Sequence, residues 1–266
     1  MSAKPPGDDR ADAWLALLAR LTGALPLWGL WKNADAALAG HGDFDSTAPV
    51  EDWERIVQEF SGWAIGRGLG PVTACREVPG VLFLLALDRE KGEVLELDVN
   101  ARKYFRGWTM FRPRDLAPVM EIDERGFRRV RAGAEGLILL VQNGLRWGGR
   151  PDPAGLARKR VADFLRADPD GVRLAARLFG AARGAAERAA AAVAADDWDR
   201  RAMLTLEGYA GLRALGAPGI AFGRLLVPGR KRRCPVLRTI FEDDRKVADP
   251  ERWIQAVAEG HQVHGG

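Results

Sequence analysis

The chain has 266 residues, 47% of them apolar and 29% charged, with a mean hydropathy of −0.18. That composition excludes a collagen-like or wholly disordered polymer and leaves room for one large or two compact domains. Residues 1–100 carry nine Lys and Arg against 16 Asp and Glu, a net of −7, whereas residues 101–266 carry 31 against 20, a net of +11. An acidic part suited to cations thus precedes a basic part suited to phosphates. With 33 Arg to seven Lys, arginine-rich coding contributes to the second figure. The longest apolar runs, Val81 to Leu87 and Ala189 to Ala195, fall far short of the ~20 residues of a membrane helix, so no membrane partner is expected. Asp8, Asp9 and Asp12 stand where an export signal carries basic residues, and the two cysteines, Cys75 and Cys234, allow at most one bridge. A cytoplasmic protein with reduced thiols is the expectation.

Residues 1–10 are polar, contain Pro5-Pro6-Gly7, and read as a loose tail. Trp14, Leu17, Leu18, Leu21 and Leu25 then recur at helical steps up to Pro26. Leu27 to Lys32 reads as a strand, Asn33 to about Ala39 as a short helix, and Asp43-Phe44-Asp45 as a second strand. Ser46, Thr47 and Pro49 open a helix whose stripe is Trp53, Ile56, Val57, Phe60 and Trp63. Three strand-like runs, 71–78, 81–88 and 93–99, form a meander. From about Ala132 onward alanine, leucine and arginine dominate, with breaks at Gly148-Gly149, Asp168 to Gly171 and Gly216 to Gly219, so helices are expected. The alanine-rich stretch 181–195 reads as a solvated helix. The expected class is α+β, with an N-terminal mixed-sheet domain over 11–130 followed by a C-terminal helical domain over 131–260.

Chemistry concentrates on Lys32, Asp43, Asp45, Glu96 and Asp98. Side chains two apart on a strand share a face, so Asp43 pairs with Asp45 and Glu96 with Asp98. Carboxylates of this kind are the usual oxygen ligands of Mg²⁺, with water and substrate phosphate completing its shell. The strand Leu27 to Lys32, a short helix, Gly42-Asp43-Phe44-Asp45 and then Leu95 to Val99 resemble the nucleotidyltransferase fold superfamily, the polymerase-beta-like group. The resemblance covers roughly residues 27–100.

What the resemblance implies is a transferase that moves a nucleotide from an NTP to an acceptor hydroxyl with two Mg²⁺ ions. Asp43, Asp45 and Asp98 would be metal ligands, and Asp98 would also be the base. Lys32, Asn33 and Lys103 are the candidates for binding the triphosphate. Lys32-Asn33 stands where the family usually has Gly-Ser or Gly-Gly, so the helix start lacks the customary small residues. Lys32 could instead pair with Asp43 or Asp45, and Glu96 is the alternative to Asp98 as third acid.

A chain of this length suits a small-molecule acceptor. The alternatives are a catalytically degenerate binding module of the same fold and an RNA-directed transferase. Three converging acids would repel one another without metal, so Asp45→Asn is expected to keep or raise stability in its absence. Glu135 reads as a capping carboxylate at a helix start. Arg102, Lys103 and Arg106 read as a triphosphate channel or a solvated basic face. Arg230-Lys231-Arg232-Arg233 reads as a solvated loop rather than a nucleic-acid contact. His261 and His264 lack the partners for zinc, and the nine tryptophans read as core.

Overall fold

The computed structural model describes residues 8–216, Glu77 excepted. The basic run at 230–233, His261, His264, Cys234 and the last part of the expected helical domain lie outside the described residues. α1 (Asp8–Ala24) buries Trp14, Leu17, Leu18 and Leu21, and the chain turns at Pro26 into β1 (Gly29–Lys32). α2 (Ala34–Leu38), β2 (Phe44–Thr47) and α3 (Trp53–Gly66) follow. The meander is β3 (Val72–Cys75), β4 (Val81–Asp88) and β5 (Glu93–Asn100).

Next come a hairpin of β6 (Lys103–Phe105) and β7 (Trp108–Phe111), and then α4 (Pro113–Leu116). A second hairpin, β8 (Met120–Ile122) and β9 (Arg128–Val130), is absent from the sequence reading because its strands are only three residues long. The helical part holds α5 (Ala132–Gln142), the two-residue strands β10 (Leu145–Arg146) and β11 (Arg150–Pro151), and α6 (Arg158–Ala167). It continues through α7 (Pro169–Ala175), α8 (Arg183–Ala194) and α9 (Arg200–Leu215). No helix among the described residues is long and apolar enough to cross a membrane.

The class is α+β, built on a seven-stranded sheet in the order β3-β4-β5-β2-β1-β9-β8. β2 runs parallel to β5 and β1 parallel to β9, and the other neighbours are antiparallel, so the sheet is mixed. Alternation along β4 and β5 sends Leu82, Leu84, Leu97 and Val99 into a core with α1 and α3. A second core joins Phe105, Trp108 and Phe111 to α5 through α9. β1 contributes to both, with Leu30 in the first core and Trp31 in the second. The alanine-rich stretch forms a helix as expected, with Arg183 and Arg188 exposed on its polar side, while Ala185, Ala186, Ala189 and Ala190 are buried and their small side chains let α8 pack against both α6 and α9.

Asp168 ties three helices together. It caps α7 by accepting from the Gly171 N–H at 2.9 Å, accepts the Gly133 N–H at 3.1 Å, and takes Nε and Nη2 of Arg131 at 3.1 and 2.5 Å. α5 approaches so closely that a Cβ on Gly133 would lie 1.9 Å from the Asp168 carbonyl oxygen, which glycine alone avoids. Asp168→Ala removes a cap and a charged partner, and we expect it to lower stability by about 2–3 kcal/mol in chemical denaturation at pH 7. Burial raises the Asp168 pKa, but the hydrogen bonds from Arg131, Gly171 and Gly133 outweigh it and hold the carboxyl below its ordinary value. The folded value is therefore below the unfolded one. The stabilisation is complete above pH ~4 and is lost as pH falls through the folded value, so the gap between parent and variant should close on acidification.

Candidate functional site

β5 carries Glu96 and Asp98 on the side facing away from the α1–α3 core, because Leu95, Leu97 and Val99 occupy the alternate positions. Parallel pairing of β2 with β5 sets Asp45 directly beside Asp98, and antiparallel pairing of β1 with β2 sets Lys32 beside Asp45. The Ser46 hydroxyl donates to the Asp98 carbonyl at 2.8 Å and the Thr47 hydroxyl to that of Asn100 at 2.7 Å, which fixes this register.

Carboxylate oxygens of Asp43, Glu96 and Asp98 lie within 4.8 Å of one another. Asp43 stands one residue before β2. Of the expected ligands the fold thus gathers Asp43 and Asp98, adds Glu96, and turns Asp45 to Lys32, whose Nζ is 2.8 Å from Asp45 Oδ2. Glu96 and Asp98 both belong to the group, so either side of the alternative over the third acid remains represented. The Nζ atoms of Lys32 and Lys103 lie 5.1 and 4.6 Å from the Trp31 ring centre, and both lysines act on Asp45, Lys32 as its ion-pair partner and Lys103 as a nearby charge.

Charge in this row is strained. Asp98 is held well above its usual carboxylate value, first by burial and then by the charges of Glu96, Asp45 and Asp43. Its Oδ1 atom is enclosed and has no hydrogen-bond partner among the described residues. Asp45 is also raised, because burial and Asp43 outweigh the opposing pull of Lys32 and Lys103. Burial works against the charge of Lys32, but Asp45, Asp43 and Asp98 more than offset it and keep the ammonium protonated.

Asn33 sits in the left-handed region at φ 59°. Its backbone N–H donates to Glu135 Oε1 at 2.9 Å. Glu135 also meets Arg129 Nη2 at 3.3 Å and Arg160 Nη2 at 3.1 Å, so one buried carboxylate links the β1–α2 turn, β9, α5 and α6. Burial pushes its pKa up, against the opposing pull of the Asn33 N–H, Arg129 and Arg160. The expected role of Glu135 as a cap of its own helix is corrected: its side chain reaches across 102 residues instead. Sequence reading also misses Asp35 and Asp123, which pair with Arg125 and Arg129, because Asp35 lies 90 and 94 residues from the two arginines that join it to Asp123.

The other basic candidates divide. Arg106 is committed to Glu207 at 3.0 Å and to the Leu145 carbonyl at 2.8 Å, which binds β6–β7 to α9. Arg102 stacks over Tyr104. Among the described tryptophans Trp147 departs from the core expectation and is 73% exposed, beneath the Arg106 guanidinium.

No family model and no curated protein matches this chain. Among solved structures, the crystal structure of JHP933 from Helicobacter pylori is similar over 85% of this chain and 100% of its own, at 12% identity and a TM-score of 0.37, a likeness too low to bear on fold or function.

The Lys32–Asp45 contact reverses the expectation for Asp45→Asn. Removing this carboxylate strands a mostly buried ammonium, so we expect a loss on the order of 2–4 kcal/mol in chemical denaturation rather than a gain. Relief of repulsion should come from Asp98→Asn, which leaves Lys32 its partner and should hold or raise the melting temperature of the metal-free protein at pH 7. Glu135→Ala should destabilise by about 3 kcal/mol by leaving Arg129 without a close carboxylate at that end, and Glu135→Gln should recover part of it through the Asn33 hydrogen bond.

Proposed function

We propose that the chain is a divalent-metal-dependent nucleotidyltransferase that moves a nucleotide from an NTP to a hydroxyl of a small-molecule acceptor. The observation that carries this reading is the gathering of Asp43, Glu96 and Asp98 within 4.8 Å, beside two lysines. The donor set fits Mg²⁺, since all three groups are oxygen ligands and Asp98 has an enclosed oxygen lacking a hydrogen-bond partner among the described residues. Asp43, Glu96 and Asp98 would hold the first ion, with Asp45 close by for a second. When bound, such ions neutralise phosphate charge and make the acceptor hydroxyl more acidic.

The chain's own groups do the rest. Lys32 and Lys103 bring positive charge to the triphosphate, and Asp98 takes the proton of the attacking hydroxyl. The acceptor oxygen forms a bond to the α-phosphorus while the bond from that phosphorus to the pyrophosphate oxygen breaks. In this reading the sheet-bearing residues 11–130 form the transferase domain, the helical residues that follow supply the wall for base or acceptor, and the setting is the cytoplasm, where NTP and Mg²⁺ are at hand.

One observation favours a second reading, a degenerate binding module. The Asn33 N–H, which opens the short helix where the superfamily receives phosphate, is taken by Glu135. Thermal melting with NTP and Mg²⁺ separates the two. The transferase reading expects joint addition at about a hundred times the dissociation constant to stabilise the parent by roughly 2.7 kcal/mol. Asp43→Asn and Asp98→Asn should abolish that shift, and Lys32→Ala should weaken it. An unmoved parent melt at millimolar Mg²⁺ and NTP would leave the degenerate module.

A further inference from the structure

An open cleft of about 780 Å³ lies between the start of α2 and the start of α6. Asp35 and Ala36 form one wall, and Arg158, Lys159, Arg160 and Phe164 the other. The acids around it are already matched from outside. Asp35 takes Arg129 at 3.0 Å and Arg125 at 2.6 Å, and Asp163 takes Arg166 at 2.9 Å. The arginines are held in place: the Arg158 guanidinium donates to the neutral Asp196 carbonyl, and Arg160 stacks on Phe164 while its Nη2 pairs with Glu135. Lys159 is exposed and has no ion pair among those described. Arg158 and Lys159 therefore bring positive charge to a space whose nearby carboxylates are spoken for, Arg160 being shared with Glu135, and the positive end of the α6 dipole adds to the field.

Resting on the nucleotidyltransferase reading, we propose that this cleft binds the phosphate group of a phosphorylated small-molecule acceptor, with its carbon skeleton lying against Phe164 and Ala36. Asp35 follows Lys32 by three residues, so their Cα atoms are at most roughly 10 Å apart, and Arg160 at the cleft is joined to the Asn33 N–H through Glu135. The nucleotide's own phosphates are left to Lys32 and Lys103, whose Nζ atoms both lie near the Trp31 ring.

The test is calorimetric titration of the full chain, without metal or nucleotide, with glycerol 3-phosphate, inorganic phosphate and glycerol as probes. The two phosphates should bind and glycerol should not. Lys159→Glu and Arg158→Ala, both at exposed positions, should each weaken the phosphates about tenfold or more, and added salt should weaken the parent too. Asp98→Asn should leave these affinities unchanged, and saturating Mg²⁺ and NTP should not displace glycerol 3-phosphate. Equal phosphate affinity in the parent and Lys159→Glu would reduce these cations to a solvated face and overturn the proposal. Displacement by NTP would overturn it differently, by giving the cleft to the nucleotide. Phosphate binding that persists in a chain indifferent to Mg²⁺ and NTP would support the anion site while removing the transferase reading and with it the acceptor assignment.

Discussion

One cross-strand row governs the acidic face of this protein. Lys32 pairs in register with Asp45, Asp45 with Asp98, and Asp98 with Phe83, across four neighbouring strands. Directly opposed side chains on a sheet are only about 5 Å apart, so two adjacent acids at the centre of a sheet repel strongly unless something of opposite charge joins them. Lys32 answers Asp45 from one side. On the other side Asp98 faces Glu96 along its own strand and Phe83 across it, and its raised pKa records the shortfall.

The row stays in place because β1 is gripped from both faces. Leu30 enters the core under α1 and α3, and Trp31 enters the core built with the helical part, so β1 cannot slide without opening one of them. Glu135 extends the grip to the turn that follows. Asp168 fixes the start of α5, α5 carries Glu135, and Glu135 holds the Asn33 N–H in a left-handed turn that asparagine tolerates better than most residues. The helical part is therefore connected to the position of Lys32 by a short chain of hydrogen bonds.

The strands and helices that place the acids were legible in the sequence where local rules decide. Helical spacing revealed α1 and α3, Pro and Gly punctuation separated β3, β4 and β5, and the two-residue period placed Glu96 and Asp98 on one face. Register was not legible. Whether Lys32 meets Asp45 or a phosphate depends on a bulge between Leu30 and Lys32 and on a parallel pairing of β2 with a strand some fifty residues later, neither of which leaves a local signature. The Glu135 joint was hidden for the same reason, since its partners Asn33 and Arg160 lie 102 and 25 residues away. The buried face of α8 escaped because alanine serves equally on a packed or a solvated helix.

Two ionic clusters flank the β1–α2 turn, and their balances differ. In the first, Asp35, Asp123 and Glu135 face Arg125, Arg129 and Arg160, three acids against three cations, with the Asp123 carboxyl held down at about 2 by Arg125 and Arg129 despite partial burial. Such a set closes on itself and suits a structural joint. In the second, Asp43, Asp45, Glu96 and Asp98 border Lys32 and Lys103, four acids to two cations among the described residues. By formal charge the acids exceed the cations by two, an excess that the raised pKa values of Asp98 and Asp45 reduce in the metal-free protein. The balanced cluster explains how the turn is held, and the unbalanced one is where the proposed metal-dependent reaction would sit.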